Sequence, residues 1–340
     1  MREVFAQYGF DEKDCITQPF GNGLINHTWL LEVRSEKFIL QKINDQVFQS
    51  PGDIAFNIRL LAGYLQQHHP EYLFVAPLQT IDAKDMASSA EGYFRIFPFV
   101  KTAHTIDVVE KPGQAYEAAK QFGRFTKNLS GMDLAQLKIT LPDFHNLTLR
   151  YQQFEHALWN GNKERIKQSK DLIEFINKQR TIVGEFEFCR QDFKVRCTHH
   201  DTKISNVLFD ENDKGLCVID LDTVMPGYFI SDVGDMMRTY LSPVSEEEKD
   251  FSAITIRKDF YNAIVEGYYG EMKEELQETE KEQFLYAGKF MIYMQAIRFL
   301  TDHINNDIYY GSKYEGQNFV RAGNQATLLQ RLIEFKRALF

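Results

Sequence analysis

His199-His200-Asp201-Thr202-Lys203-Ile204-Ser205-Asn206, followed by the apolar run 216–219 and then Asp220-Leu221-Asp222, is the stretch on which the fold of this chain turns. Asp201 and Asn206 stand five positions apart. On one loop, that spacing lets a carboxylate aim at an acceptor hydroxyl while an amide reaches a magnesium ion. The apolar run has the length of a short buried strand. It delivers Asp220 at its end, where a second carboxylate can hold metal against donor phosphates. The parts of a phosphoryl-transfer site thus follow one another in working order.

Other readings fit the same residues. Histidine beside aspartate suits a zinc cluster, and His199 alone suits a core histidine bonded to a backbone carbonyl. Adjacent histidines on an extended segment point in opposite directions, and the carboxylate-rich remainder favours a hard ion such as magnesium. His199 is therefore expected to orient the loop and Asp201 to face the substrate, with His200 unassigned.

Four stretches extend the pattern over nearly the whole chain: GNGLINHTWLLEV from Gly21, FILQKIN from Phe38, HHDTKISNVLFD from His199 and VIDLDTVMPG from Val218. Together they resemble the aminoglycoside phosphotransferase-like branch of the protein-kinase-like superfamily, and within it the N-acetylhexosamine 1-kinases. The resemblance implies an α+β, bilobal fold with a small β-rich N-lobe and a large helical C-lobe. It implies ATP and Mg2+ as cofactors, Asp201 as the group that orients and deprotonates a sugar hydroxyl, and Asn206 and Asp220 as metal ligands. It also implies that Asp232 supports the catalytic loop, although its place after Pro226-Gly227 equally suits a helix cap following a turn. No DFG with a following activation segment and APE is present, and no C-x-P-x-R sulfatase motif.

Residues 1–100 read as a nucleotide-binding N-lobe with its hinge, and 101–340 as a helical C-lobe holding the catalytic loop and acceptor site. Gly21 and Gly23, ahead of a strand beginning near Thr28, can form a close turn over ATP phosphates, and a plain hairpin turn explains them as well. Lys42, on the next strand, is the candidate to pair with those phosphates; a solvated lysine is the alternative. The helix around 53–67 contains no glutamate to fix it, which leaves Asp53 or Asn57 for that role. Tyr93 to Val100 alternates as a last strand and hinge, with backbone near Phe99 placed for adenine.

If the strand continues past Asp220, Asp222 shares its face and is directed to metal or to sugar. Arg298 and Asp302 lie at i,i+4 on one helical face, able to offer donors and acceptors to a polyhydroxylated substrate or to form a surface ion pair. Tyr309 or Tyr310 can pack against the apolar face of a sugar.

A formal charge of -9 argues against a broad nucleic-acid footprint. Cys15, Cys189, Cys197 and Cys217 form no zinc or dithiol pattern, and no run approaches the roughly 20 apolar residues of a membrane span. A cytoplasmic enzyme acting on a small sugar acceptor, without nucleic acid, membrane or obligate protein partner, is expected. Its reaction is transfer of the ATP gamma-phosphoryl group to the anomeric hydroxyl of N-acetylglucosamine or N-acetylgalactosamine. The alternatives are a kinase for choline, homoserine, a methylthiosugar or an aminoglycoside, or a non-catalytic regulator of a carbohydrate pathway.

Overall fold

The computed structural model describes residues 1–21 and 25–339; Gly23, assigned above to the phosphate-covering turn, lies outside them. Helix α1 (Arg2–Gln7) precedes an antiparallel sheet made of β1 (Cys15–Pro19), β2 (His27–Val33), β3 (Glu36–Lys42), β4 (Ala87–Ser89) and β5 (Gly92–Pro98), in the order β1-β2-β3-β5-β4. β2 and β3 are rich in branched and aromatic residues that suit a pleated surface, and they pair with Leu31 opposite Phe38 and Thr28 opposite Gln41. Because side chains alternate across a strand, the sheet has two unlike faces. Leu31, Leu40, Phe94 and Ile96 bury against Val4, Phe5 and Tyr8 in and beside α1. Gln41 and Arg95, opposite one another on β3 and β5, occupy the other face.

Between β3 and β4 the chain leaves the sheet as α2 (Pro51–His68), opened by a proline where an N–H is dispensable. Ile54, Ile58, Leu61 and Leu65 form its apolar stripe, and this stripe belongs to the core of the larger lobe, not to that of the sheet and α1. Asn57, fully buried in α2, donates to the carbonyls of Lys138 (2.9 Å) and Val224 (3.1 Å) and accepts from the Lys138 N–H (2.8 Å). Its amide is thus committed to the large lobe, not to orienting Lys42.

The larger lobe continues through α3 (Pro112–Asn128), α4 (Leu147–Asn160), α5 (Lys163–Gln168), α6 (Lys170–Lys178) and α7 (Thr181–Asp192). Two short ribbons follow: β6 (Arg196–Thr198) pairs with β9 (Met225–Gly227), and β7 (Val207–Phe209) with β8 (Gly215–Val218). The helices α8 (Phe229–Tyr240), α9 (Lys258–Met272), α10 (Glu278–Lys281), α11 (Phe284–Ile304) and α12 (Gln317–Leu339) complete it. α11 is apolar on nearly every side, as befits a helix surrounded by others. Among the described residues no helix is long and apolar enough to cross a membrane.

Two local expectations give way here. Pro226-Gly227 is not a turn but part of β9, with Pro226 opposite Cys197; a two-stranded ribbon leaves the far side of the proline without a ladder bond to lose. Asp232 does not cap α8. The cap position is Tyr228 and makes no side-chain bond, while Asp232 sits inside the first turn with its carboxylate turned elsewhere.

Candidate active site

The loop between β6 and β7 is held from beneath by α8. Asp232, fully buried, accepts from the backbone N–H of His199 (Oδ2, 3.1 Å) and of His200 (Oδ1, 2.7 Å). Burial pushes its pKa up to about 7 against the downward pull of those two N–H groups. Asp235, one turn on, accepts from the N–H of Thr202 (2.8 Å) and is itself paired with Arg238 (2.9 Å). Helix α8 therefore presents two carboxylates to three of the loop's amides, those of His199, His200 and Thr202.

The two histidines diverge. Burial lowers the pKa of His199, so its ring is neutral; Nε2 faces the Ile219 carbonyl at 2.9 Å and Nδ1 faces the N–H of Asp201 at 3.4 Å. With Nε2 as the donor, this one ring ties the backbone of Asp201 to the residue before Asp220. His200 takes a positive φ of 68° and turns its Nδ1 to the Thr198 carbonyl at 3.0 Å. Its ring lies against Gly227, where any Cβ would strike the imidazole, so glycine is required there. Burial pulls the His200 pKa down to about 4.

Asp201 is half-buried, and Lys203, two residues on, holds its ammonium 3.1 Å from Asp201 Oδ2. Burial works against that charge, but Asp201 and Asp220 outweigh it, and the Lys203 pKa stands above its ordinary value. Asn206 donates through Nδ2 to the Asp201 carbonyl (2.9 Å), which leaves its oxygen as the atom it can offer a cation. Its own carbonyl accepts from Ile219 N–H (2.9 Å), fastening the loop to the chain just before Asp220.

Asp220 adopts a left-handed backbone, φ 60° and ψ 63°, a conformation costly for a non-glycine residue and most often kept at functional sites. Its pKa is raised, first by burial and then by the Asp222 and Asp201 carboxylates, with Lys203 and Arg95 pulling the other way. Among the described residues, no three His, Cys, Asp or Glu side chains converge as a metal cage. The donor set fits magnesium, which takes one or two protein oxygens and completes its shell with phosphate and water.

Lys42 is not where the sequence put it. Strand alternation places it on the sheet's outer face, with its stem against Gly92 and its ammonium 6.0 Å from the centre of the Phe94 ring. Its neighbour Gln41 faces the cleft. Gln41 Oε1 accepts from Nε and Nη2 of Arg95 (3.1 and 2.9 Å), and Arg95 Nη1 lies 2.6 Å from Asp222 Oδ1. Asp222 is thus buried in an ion pair, and its Oδ2 also accepts from Asn26 Nδ2 at 2.7 Å. Gly21 has φ 74°, and the preceding Phe20 stands edge-on to Phe99 of the hinge, ring centres 6.5 Å apart.

A cavity of about 490 Å³ opens on the large lobe, lined among others by Arg150, Gln153, Arg298, Thr301, Tyr309 and Tyr310. Arg298 makes no ion pair with Asp302. Its guanidinium stands over the rings of Phe144 and Tyr310 (5.5 Å each) and donates to Gln295 (3.3 Å) and the Tyr309 hydroxyl (3.4 Å). Asp302 is buried, and its oxygens are taken by Tyr309 N–H (2.7 Å), Tyr310 N–H (2.9 Å) and Asn318 (3.1 Å). It holds the loop that carries Tyr309 and Tyr310 while also lining the cavity. Phe144 stacks on His145, whose ring centre is 5.3 Å from that of His200, so a single layer of rings separates the Arg298 wall from the catalytic loop.

Lys203, Arg95, Arg150 and Asp235 were missed as site residues. Lys203 lies inside the diagnostic loop and needed only its distance from Asp201. Arg95 was signalled by the alternation that set Phe94 and Ile96 on the opposite face. Arg150 and Asp235 gave no local signal, because their partners are remote in sequence.

The profile of the phosphotransferase enzyme family (APH) matches residues 16–268. The structure of a microcompartment-associated aminopropanol kinase superposes with a TM-score of 0.64 at 14% identity, covering 99% of this chain and 97% of that one. A spectinomycin phosphotransferase solved with ADP and its antibiotic gives 0.61 at 12% identity, covering 97% and 96%. A choline kinase from Cryptosporidium parvum Iowa II gives 0.58 at 12% identity, covering 96% and 92%. At such identities the likeness shows the fold, a bilobal kinase-like α+β architecture.

Proposed function

The chain belongs to the phosphotransferase enzyme family, and from that premise we propose that it transfers the gamma-phosphoryl group of ATP to the anomeric hydroxyl of an N-acetylhexosamine. The sign of the acceptor cavity supports a neutral sugar most directly. Arg150 and Arg298 line it, and the carboxylate among its lining residues, Asp302, is outnumbered by them and has its oxygens engaged by three neutral donors. Choline and aminoglycosides are cations and would meet two guanidinium groups there. A neutral polyol meets donors for its hydroxyls, amide partners for an acetamido group, and the rings of Tyr309 and Tyr310 for its apolar face.

In the transfer step Asp201 aligns the acceptor hydroxyl and takes its proton. Lys203, 3.1 Å from that carboxylate, sets a positive charge beside the phosphoryl group in flight. His199 keeps the Asp201 backbone in register with Asp220. Asn206 and Asp220 would hold magnesium, whose chemistry here is to neutralise phosphate charge. Catalysis comes from positioning and electrostatics, and no phosphoenzyme is formed.

A matched acceptor panel tests this. N-acetylglucosamine and N-acetylgalactosamine should give ATP- and magnesium-dependent sugar phosphate with phosphorus on C1 by NMR, ahead of glucose, choline, ethanolamine and spectinomycin. Phosphate on C6, or a higher kcat/KM for an amino alcohol, would overturn the acceptor while leaving the family intact.

A further inference from the structure

We infer that Arg95 is the cation that meets the donor phosphates, in the role the sequence gave to Lys42, and that Asp222 holds it in place between turnovers; this rests on the ATP-donor part of the proposed function. Three observations converge on it.

First, on its cleft face β3 brings Gln41 to the catalytic end, and the one cation of that face, Lys37, stands exposed four residues earlier. Period-two alternation turns Lys42 outward to Phe94 and Gly92 and leaves Gln41 facing inward. Second, the partner strand supplies a cation there. Arg95 lies opposite Gln41, its guanidinium is fixed by two bonds to Gln41 Oε1, and it stands 5.0 Å from the Phe97 ring centre, so its rotamer is set in advance. A guanidinium held this way loses little freedom on meeting a phosphate, and its planar fork matches phosphate oxygens.

Third, its free end sits where a nucleotide site must converge. Nη1 is 2.6 Å from Asp222 Oδ1, a buried charge pair whose alignment falls short of a good hydrogen bond. The other oxygen of Asp222 accepts from Asn26, in the segment joining β1 to β2, and Asn26 Oδ1 accepts from the N–H of Asn44, just beyond β3. The segment just before β2, the third strand and the stretch after Asp220 are thus linked around one ion pair. A buried ion pair with poor hydrogen-bond alignment is a poor source of stability, and a phosphate oxygen reaching the cleft can take over Nη1 from Asp222.

The test compares ADP with adenosine, measured calorimetrically without divalent metal and without acceptor. Arg95→Gln alone would strand Asp222, so Asp222→Asn is the reference and the Arg95→Gln, Asp222→Asn double variant is the probe. Against that reference the double variant should lose about tenfold or more in ADP affinity and keep its adenosine affinity. Lys42→Met should leave both ligands unchanged. If the double variant fails to fold, Arg95→Lys, which keeps the charge but not the fork, should still lower the ratio of ADP to adenosine affinity. An unchanged ratio in the Arg95 variants, or a fall confined to Lys42→Met, overturns the assignment. Failure of the parent to bind ADP would sink the donor reading and this inference with it, whereas a wrong acceptor leaves the experiment untouched.

Discussion

Asp232 Oδ1 lies 2.7 Å from the backbone nitrogen of His200, so the conformation of the catalytic loop is set by a carboxylate on a helix more than thirty residues downstream. Asp232→Asn keeps the size but can accept only one of the two N–H bonds and turns an amide donor toward the other. A buried donor left unpaired costs about 1–3 kcal/mol. Denaturant melts should show a loss of that order. A displaced loop should also lower kcat by roughly 10²-fold, more than it lowers nucleotide affinity.

Asp201→Asn removes the base and little else. Turnover should fall by about 10²–10⁴-fold while ADP binding and the melting temperature stay near those of the parent. Normal sugar-kinase turnover by the folded variant would remove Asp201 from the chemistry.

Lys203→Met should leave the fold intact, because the ammonium is partly exposed and its partner is the half-buried Asp201. Loss of a preorganised charge at the transfer point predicts a drop of about 10²–10³-fold in kcat with little change in acceptor KM. A defect in KM alone would make Lys203 a binding residue.

Asp302→Asn tests the acceptor loop. With one of its oxygens exchanged for a donor, the amides of Tyr309 and Tyr310 lose their shared anchor, and acceptor KM should rise by roughly tenfold with ATP KM unchanged. Arg298→Ala should do the same while leaving the backbone anchor at Asp302 in place, and a shift in ATP KM would place the cavity on the wrong substrate.

The pH dependence separates neutral histidine from buried acid. Below pH 6.5 an unfolded chain protonates its residue 200 while the folded chain resists down to about 4. His200 therefore withdraws stability as pH falls through that window, on the order of 3 kcal/mol. Asp220 and Asp232, with raised values, act in the opposite sense, costing stability as pH rises from 3.8. The parent curve is their difference, so the comparison to make is His200→Gln against parent. Relative to the parent, the variant should gain stability as the pH is lowered from 7 to 4.

Legibility of the sequence followed sequence distance. The loop from His199 to Asn206 could be read because its chemistry is packed into eight residues, and the helices could be read from apolar spacing. The role of Lys42 could not, since a lysine reads alike on either face of a strand; facing depends on which face α1 covers. Asp302 misled for a related reason. Helical spacing put it beside Arg298, but the backbone amides that engage its oxygens come from a turn without a periodic signature. Pro226-Gly227 shows the converse, a strong local turn signal overruled by pairing with β6.

The anchoring of α2 bears on control. In many kinases the helix after the third strand swings away from the cleft, and activity is switched by that displacement. Here the same movement would break three buried bonds to Asn57 and uncover Ile54, Ile58, Leu61 and Leu65 from a core they share with the large lobe. The helix is a fixture. What remains able to tilt is the sheet with α1, riding on its own small core. Such a protein is not switched by displacement of this helix.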